Sequence, residues 1–288
     1  MKLYPIQCGN FKLDGGAMFG VVPKSLWERT NPADSKNLIE LGTRSLLVED
    51  GKKLILIDCG LGNKQDEKFF GHYSLYGDES LDKNLKKFGF VREDITDVFL
   101  THLHFDHCGG AIEWNDDKTG YRPAFKNAQF WTNENHWQWA TEPNPREKAS
   151  FLKENILPMQ ESGQLQFLPT PKTGNYGFAP DLKMDVIFVD GHTEKQMLPV
   201  IQYQEKTIVF AADLIPTAGH IPQVYVMGYD TRPLLTMEEK GKFLKQCVEN
   251  EYLLFFEHDA HHELASLKMT EKGVKLDEVF KFNDVFGY

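Results

Sequence analysis

Short apolar runs bounded by turn-forming residues recur along the chain, and they predict strands with helices set between them. Residues 46–48 and 54–57 are two such runs on either side of Glu49-Asp50-Gly51, which predicts a hairpin. Leu81, Leu85 and Phe88 recur at helical spacing, and Gly89 stops that helix. Residues 98–101 and 128–132 predict two more strands, the second running into a Trp-rich stretch. A helix is predicted over 141–165, with Pro143 and Pro145 ahead of its body and Pro158 near its end. In the second half, 186–189 predicts a strand, and 198–204 with 207–212 a strand pair. A Pro- and Gly-rich loop covers 214–233, a helix 237–249 and a strand 253–256. From Ser266 short strands and a final helix are expected. Sheets with interspersed helices, in two halves of similar style, predict a mixed α/β layered fold in one domain over 1–288.

Composition narrows the function classes. The chain has 288 residues, 41% of them hydrophobic and 26% charged, which is ordinary for a globular protein. Its net charge of −10 argues against a nucleic-acid partner, which needs a basic footprint. The longest apolar runs, such as 208–212 and 252–256, fall far short of the ~20 residues that span a bilayer. The N-terminal stretch has no apolar secretory core. Cys8, Cys59, Cys108 and Cys247 are scattered without C-x-x-C spacing, so reduced thiols and a cytoplasmic location are expected.

The candidate chemistry is concentrated in Thr101-His102-Leu103-His104-Phe105-Asp106-His107-Cys108-Gly109-Gly110, directly after an apolar run. In an extended chain positions 102, 104 and 106 share one side. His107 joins them only if the backbone turns there, and Gly109 and Gly110 are the residues expected to allow it. A regular helix would send His104 to the far face, so a loop at a strand end is expected. His192, Asp213 and His258 each follow a later apolar run closely. Ligands at successive strand ends converge on one sheet edge, where loops can hold a site.

THLHFDHCGG together with GHTE, AAD and a late His resembles the metallo-β-lactamase superfamily, in family order from about Leu46 to His258. The resemblance implies a four-layer αββα sandwich with metals at the sheet edge. It implies His102, His104 and His192 on a first metal, Asp106, His107 and His258 on a second, and Asp213 bridging them. Asp58 matches a carboxylate that orients a ligand histidine, since a metal-bound imidazole needs an acceptor for its other N–H. Imidazole and carboxylate ligands suit two divalent ions, Zn²⁺ first, with Mn²⁺, Fe²⁺ or Co²⁺ as alternatives. Two such ions bring the pKa of a shared water towards ~7, so a bridging hydroxide can attack, with Asp106 passing the proton to the leaving group.

Within that family the stretches 14–24 and 211–230 resemble the branch of quorum-quenching N-acyl-homoserine lactonases and related ester and phosphotriester hydrolases. The resemblance implies a lactone or other ester as a small-molecule substrate and allows a homodimer. Aryl-ester, phosphotriester and glyoxalase II-like thioester hydrolysis are the alternatives. A redox or sulfur-metabolising protein is the non-hydrolytic one, against which His104 speaks, because flavodiiron members carry Glu there. The best-known lactonases place Tyr three residues after the bridging Asp; here Pro216 stands there, leaving His220 or Tyr225 as a substitute. Met18 and Phe19 are expected in an apolar lid or a plain turn. With Ile221, Val224 and Val226 they are candidates to hold an acyl tail. Trp131, Trp137 and Trp139 are expected in the core, Cys108 as a small buried residue, and His261 and His262 at the surface.

Overall fold

The structure, a computed structural model, describes residues 1–287. The chain forms two compact units, 1–10 with 43–183, and 11–42 with 184 onward. It opens with the long strand β1 (Lys2–Asp14), the short helices α1 (Gly15–Phe19) and α2 (Lys24–Trp27), and the strand β2 (Leu38–Asp50). β3 (Lys53–Ile57), α3 (Glu67–Gly71), α4 (Leu81–Lys87), β4 (Asp97–Phe99) and α5 (Phe105–Cys108) follow. Next come β5 (Ile112–Trp114), β6 (Tyr121–Pro123), β7 (Gln129–Asn133), α6 (Glu134–Thr141), α7 (Lys153–Glu161), β8 (Leu165–Leu168) and β9 (Tyr176–Ala179). The remainder holds β10 (Met184–Val189), β11 (Gln196–Tyr203), β12 (Lys206–Phe210), α8 (Pro233–Glu249), β13 (Leu253–Phe255), β14 (Leu264–Thr270), β15 (Gly273–Phe280) and α9 (Phe282–Phe286).

One sheet has the order β1-β2-β3-β4-β7-β8, a second β15-β14-β13-β12-β11-β10-β9, and β5 pairs with β6 in a separate two-stranded sheet. The expected mixed α/β class is thus observed. The predicted hairpin forms, with Leu46 opposite Ile57 and Asp50 opposite Lys53. The 203–206 turn carries Gln204 and Glu205 at φ 47° and 63°, a two-residue turn built without glycine. The helix predicted around Leu81 is α4, capped at its start by the Ser80 side chain.

The core of the first unit is built from strand residues with their helices. Leu56, Val98 and Phe130, on three adjacent strands, cluster with Leu85 of α4 and with Ile156 and Met159 of α7. Burying such side chains stabilises by about 1.5–3 kcal/mol each.

The helix predicted over 141–165 is corrected. α6 ends at Thr141 and α7 starts only at Lys153. Asn144 breaks the run, because its side chain accepts from the backbone N–H groups of Arg146 and Glu147 and competes with helical bonding. Pro158 lies inside α7. The loop predicted over 214–233 contains a helical turn at Ala218–His220, and α8 begins at Pro233, four residues ahead of the predicted start at 237. Among the described residues no helix is long and apolar enough to cross a membrane, and none of the four cysteines is in a disulfide.

Candidate metal centre

In the first unit the candidate ligands follow the ends of parallel strands. β3 pairs in parallel with β4, Ile57 opposite Phe99, and β4 with β7, Phe99 opposite Trp131. The chain leaves the sheet in the same direction at each. Asp58 comes directly after β3 with φ 56°, a left-handed conformation that Asp tolerates better than most residues. Its Oδ1 accepts from the Thr101 backbone N–H at 2.8 Å, and its Oδ2 from the Thr101 hydroxyl at 2.6 Å. The same Oδ2 accepts from His107 Nδ1 at 3.0 Å. The Thr101 hydroxyl, having donated to Asp58, accepts from His102 Nδ1 at 3.1 Å. One carboxylate therefore orients two imidazoles, one of them through a threonine.

The turn expected at His107 is α5, which begins immediately after His104. It brings the His102 and His107 rings within 3.9 Å, centre to centre. His102 Nε2 faces His104 Nδ1 at 3.0 Å, and Asp106 Oδ1 lies 3.9 Å from His107 Nε2. Gly109 and Gly110 are needed for a different reason from the one expected. Both lie outside the positive-φ set, but a Cβ on either would collide with the carbonyl of Leu61 or Cys59. The motif can lie against the chain that leaves β3 only because these side chains are absent.

In the second unit β12 and β13 are parallel, with Phe210 opposite Phe255. Asp213 and His258 each lie three residues beyond that pair, so matched strand ends deliver both. Asp213 Oδ2 lies 3.1 Å from His192 Nε2, and its Oδ1 lies 3.1 Å from His258 Nε2. His192 follows β10 through Asp190-Gly191, whose two backbone N–H groups both donate to Glu239 of α8 at 2.9 Å. His192 Nδ1 donates to Asp230 at 2.8 Å, and His258 Nδ1 to the Gly42 carbonyl at 2.8 Å. Burial alone would push the His192 pKa down; the carboxylates of Asp213 and Asp230 outweigh it and raise it to about 10. The cluster therefore favours a positive charge at this point.

These residues fit divalent metal ions by their chemistry. All seven are buried, none more than 9% exposed. Each of the five histidines has one ring nitrogen engaged away from the cluster: by Thr101, Glu147, Asp58, Asp230 and Gly42 respectively. The opposite nitrogen faces another candidate donor. Metal-binding histidines are oriented in this manner, because the outer hydrogen bond sets the tautomer. Thr101, Glu147, Asp230 and Gly42 escaped the sequence reading, and so did His136, whose Nε2 accepts from the Leu103 N–H at 2.8 Å.

Other expectations are corrected. His220 is 1% exposed and both its nitrogens are occupied: Nδ1 by the Thr217 hydroxyl at 2.8 Å, Nε2 by the Met18 carbonyl at 2.9 Å. Burial pushes its pKa down to about 3. Its ring stacks on Phe19 at 4.1 Å, and Phe19 stacks on Trp27 at 5.3 Å. A neutral imidazole so held packs a loop and has no nitrogen left for substrate. Met18 and Phe19 form neither lid nor plain turn; they are buried in α1, and Ile221 is buried too. Trp131 and Trp137 are buried as expected, while Trp139 is half-buried with its indole N–H on Glu147. Cys108 is buried, and burial pushes its thiol up to about 12. The His261 side chain is exposed, and that of His262 is 40% exposed.

A feature unforeseen in the sequence is an aromatic wall beside the motif. Phe105 meets Phe69 of α3 edge-on at 5.3 Å and Tyr73 at 4.7 Å. Phe69 and Tyr73 remain half-buried.

The chain is similar to known proteins. The profile of the metallo-beta-lactamase superfamily matches residues 38–245. An N-acyl homoserine lactonase of Bacillus cereus is 22% identical over 275 residues, 91% of this chain and 94% of that protein. The structure of a probable metal-dependent hydrolase from Staphylococcus aureus superposes with a TM-score of 0.84 at 26% identity, covering 97% of this chain and 96% of that one. The dizinc quorum-quenching lactonase AidC, solved in complex with a product, shares the fold with a TM-score of 0.76 at 22% identity, over 97% and 95% of the two chains.

Proposed function

The chain belongs to the metallo-beta-lactamase superfamily, and on that premise we propose that it is a zinc-dependent lactonase that opens N-acyl homoserine lactones. The reading treats residues 1–288 as one catalytic domain. In it, as the family resemblance implies, His102, His104 and His192 would hold a first ion, Asp106, His107 and His258 a second, and Asp213 would serve both. The observation that carries the reading is the oriented set of five histidines, each with its outer nitrogen held by an acceptor. Names of similar proteins add support, since curated relatives are N-acyl homoserine lactonases. When bound, two divalent ions lower the pKa of water towards ~7 and polarise an ester carbonyl.

The chain's own side chains do the rest. With an ion in place of the Nε2 proton, Asp58 and Asp230 would still accept the Nδ1–H of His107 and His192 and hold each ring in place. Asp106, a carboxylate with 9% exposure, would take the proton that the attacking water gives up and pass it to the ring oxygen as its bond to the carbonyl carbon breaks. That oxygen needs no phenol, which suits a chain with Pro216 in place of Tyr. An acyl tail would lie on the wall of Phe105, Phe69 and Tyr73, in place of the buried Met18, Phe19 and Ile221. Acid release from short- and long-chain lactones, with the protein reconstituted with zinc or stripped by chelation, tests the reading. Zinc-dependent release with one proton per turnover is expected. No release from any lactone, beside fast cleavage of an aryl ester, thioester or phosphotriester, would discard the lactonase and keep the hydrolase.

A further inference from the structure

The segment between α6 and α7 packs against His104 and Phe105 of the motif. Ser150 accepts from the Phe105 N–H at 3.0 Å through its carbonyl, and the Phe151 ring packs on His104 at 4.7 Å. Three residues before Ser150 lies Glu147, a carboxylate only 2% exposed. Its Oε2 accepts from the Trp139 indole N–H and from the Asn144 amide, both at 2.6 Å. Its Oε1 faces His104 Nε2 at 3.3 Å. The other nitrogen of that ring, Nδ1, faces His102 Nε2 at 3.0 Å.

We propose that Glu147 is a positioning residue for the metal centre: caged by Trp139 and Asn144, it keeps the proton of His104 on Nε2 and so leaves Nδ1 able to bind metal. The inference rests on the metal-centre reading above. A buried carboxylate is an acceptor only, so the ring nitrogen that faces it must be the donor. The neutral imidazole carries one proton, and Nδ1 then keeps its lone pair. Two strong donors on Oε2 fix the orientation of the carboxylate and leave Oε1 for the histidine. The motif itself cannot supply this partner, because Asp58 is engaged with His107 and Thr101. The segment between α6 and α7 therefore has a task.

Glu147→Gln tests the idea with almost no change of shape. The amide oxygen takes the place of Oε2, where both donors are, and the NH₂ then faces His104 Nε2. That nitrogen must become an acceptor, and the proton moves to Nδ1. Trp139→Phe is the companion variant: it loosens the cage but leaves the carboxylate on His104. Zinc affinity is read by competition with a chromophoric chelator, and ligand geometry by the visible spectrum of the cobalt-substituted protein. Glu147→Gln should bind one metal equivalent, the one His104 would hold, about 10–100-fold less tightly, as for other outer partners of ligand histidines, with an altered cobalt band. Trp139→Phe should stay within a few fold of the parent. Parent-like affinity and spectrum in Glu147→Gln overturn the proposal, as does an equal loss in both variants, which would mark a packing role. A parent protein that binds no metal would instead overturn the metal-centre reading, and the inference with it.

Discussion

Asp58 Oδ2 and His107 Nδ1 lie 3.0 Å apart with both side chains wholly buried. The pair joins the end of one strand to the motif that follows the next, across 49 residues of chain. A buried carboxylate opposite an imidazole is worth having only if the imidazole has work for its other nitrogen, since isolated buried charges are costly.

Asp58→Asn retains a residue that accepts φ 56° but presents an amide N–H to the Thr101 hydroxyl or His107, both of which donate now. One metal equivalent should weaken by about 10–100-fold while the fold persists. Equilibrium dialysis against buffered zinc measures it. Unchanged affinity would remove Asp58 from the site.

Asp213 divides its two oxygens between His192 and His258, 3.1 Å from each. Asp213→Ala should therefore drop bound metal from two equivalents to one and slow turnover by at least about 10–100-fold. Elemental analysis and initial rates are the measurements. Two retained equivalents with full activity would refute a shared carboxylate.

How much of this was legible beforehand follows from where each partner lies in the chain. The ligand candidates are local: four crowd into 102–107, and the others follow apolar runs that form strands β10, β12 and β13. The groups that orient them are distant. Glu147 is 43 residues from His104, Asp230 is 38 from His192, and Gly42 is 216 from His258. No periodicity reports such pairs; only the fold brings them together. β1 went unread because Leu3, Ile6 and Phe11 fall out of strict alternation, with Pro5 and Gly9 between them. The helix predicted over 141–165 does not run through, since α6 ends at Thr141 and α7 starts only at Lys153. Spacing alone does not register the side-chain bonds of Asn144 that end it.

His220 makes a pH prediction. Its folded pKa is about 3, below the ordinary 6.5, because burial disfavours the cation. On acidification the unfolded chain takes up this proton first, so the stability that depends on neutral His220 is complete above pH 6.5 and declines below it. The slope is at most about 1.4 kcal/mol per pH unit. His220→Phe keeps the stack on Phe19 but orphans the Met18 carbonyl, so it should be about 1–3 kcal/mol less stable at pH 7.5. Between pH 6.5 and 4.5 the gap should narrow by about 2–3 kcal/mol, read from urea unfolding. A gap that stays constant with pH would mean that His220 is not held neutral, and lost turnover per folded molecule would restore it to the chemistry.

The aromatic wall makes the last prediction, about substrate. Phe69 touches Phe105 edge-on and is itself half-buried, so its outer surface is available to an apolar ligand. It sits on α3, away from the hydrogen bonds that orient the histidines, which makes it a cleaner probe than Phe105 in the motif. A phenyl group covering a tail contributes about 1.5–3 kcal/mol, and each further buried CH₂ about 0.8 kcal/mol. Phe69→Ala should therefore raise KM for a decanoyl lactone by about 10-fold or more. A butanoyl lactone, whose tail is too short to use the wall fully, should change by no more than about twofold. kcat should hold for both, because interactions that are equal in ground and transition states act on KM alone. Steady-state rates with the two lactones decide it. Equal KM changes for both tails, or none for either, would move the acyl site elsewhere, and a fall in kcat without a change in KM would mean that Phe69 acts by supporting α5.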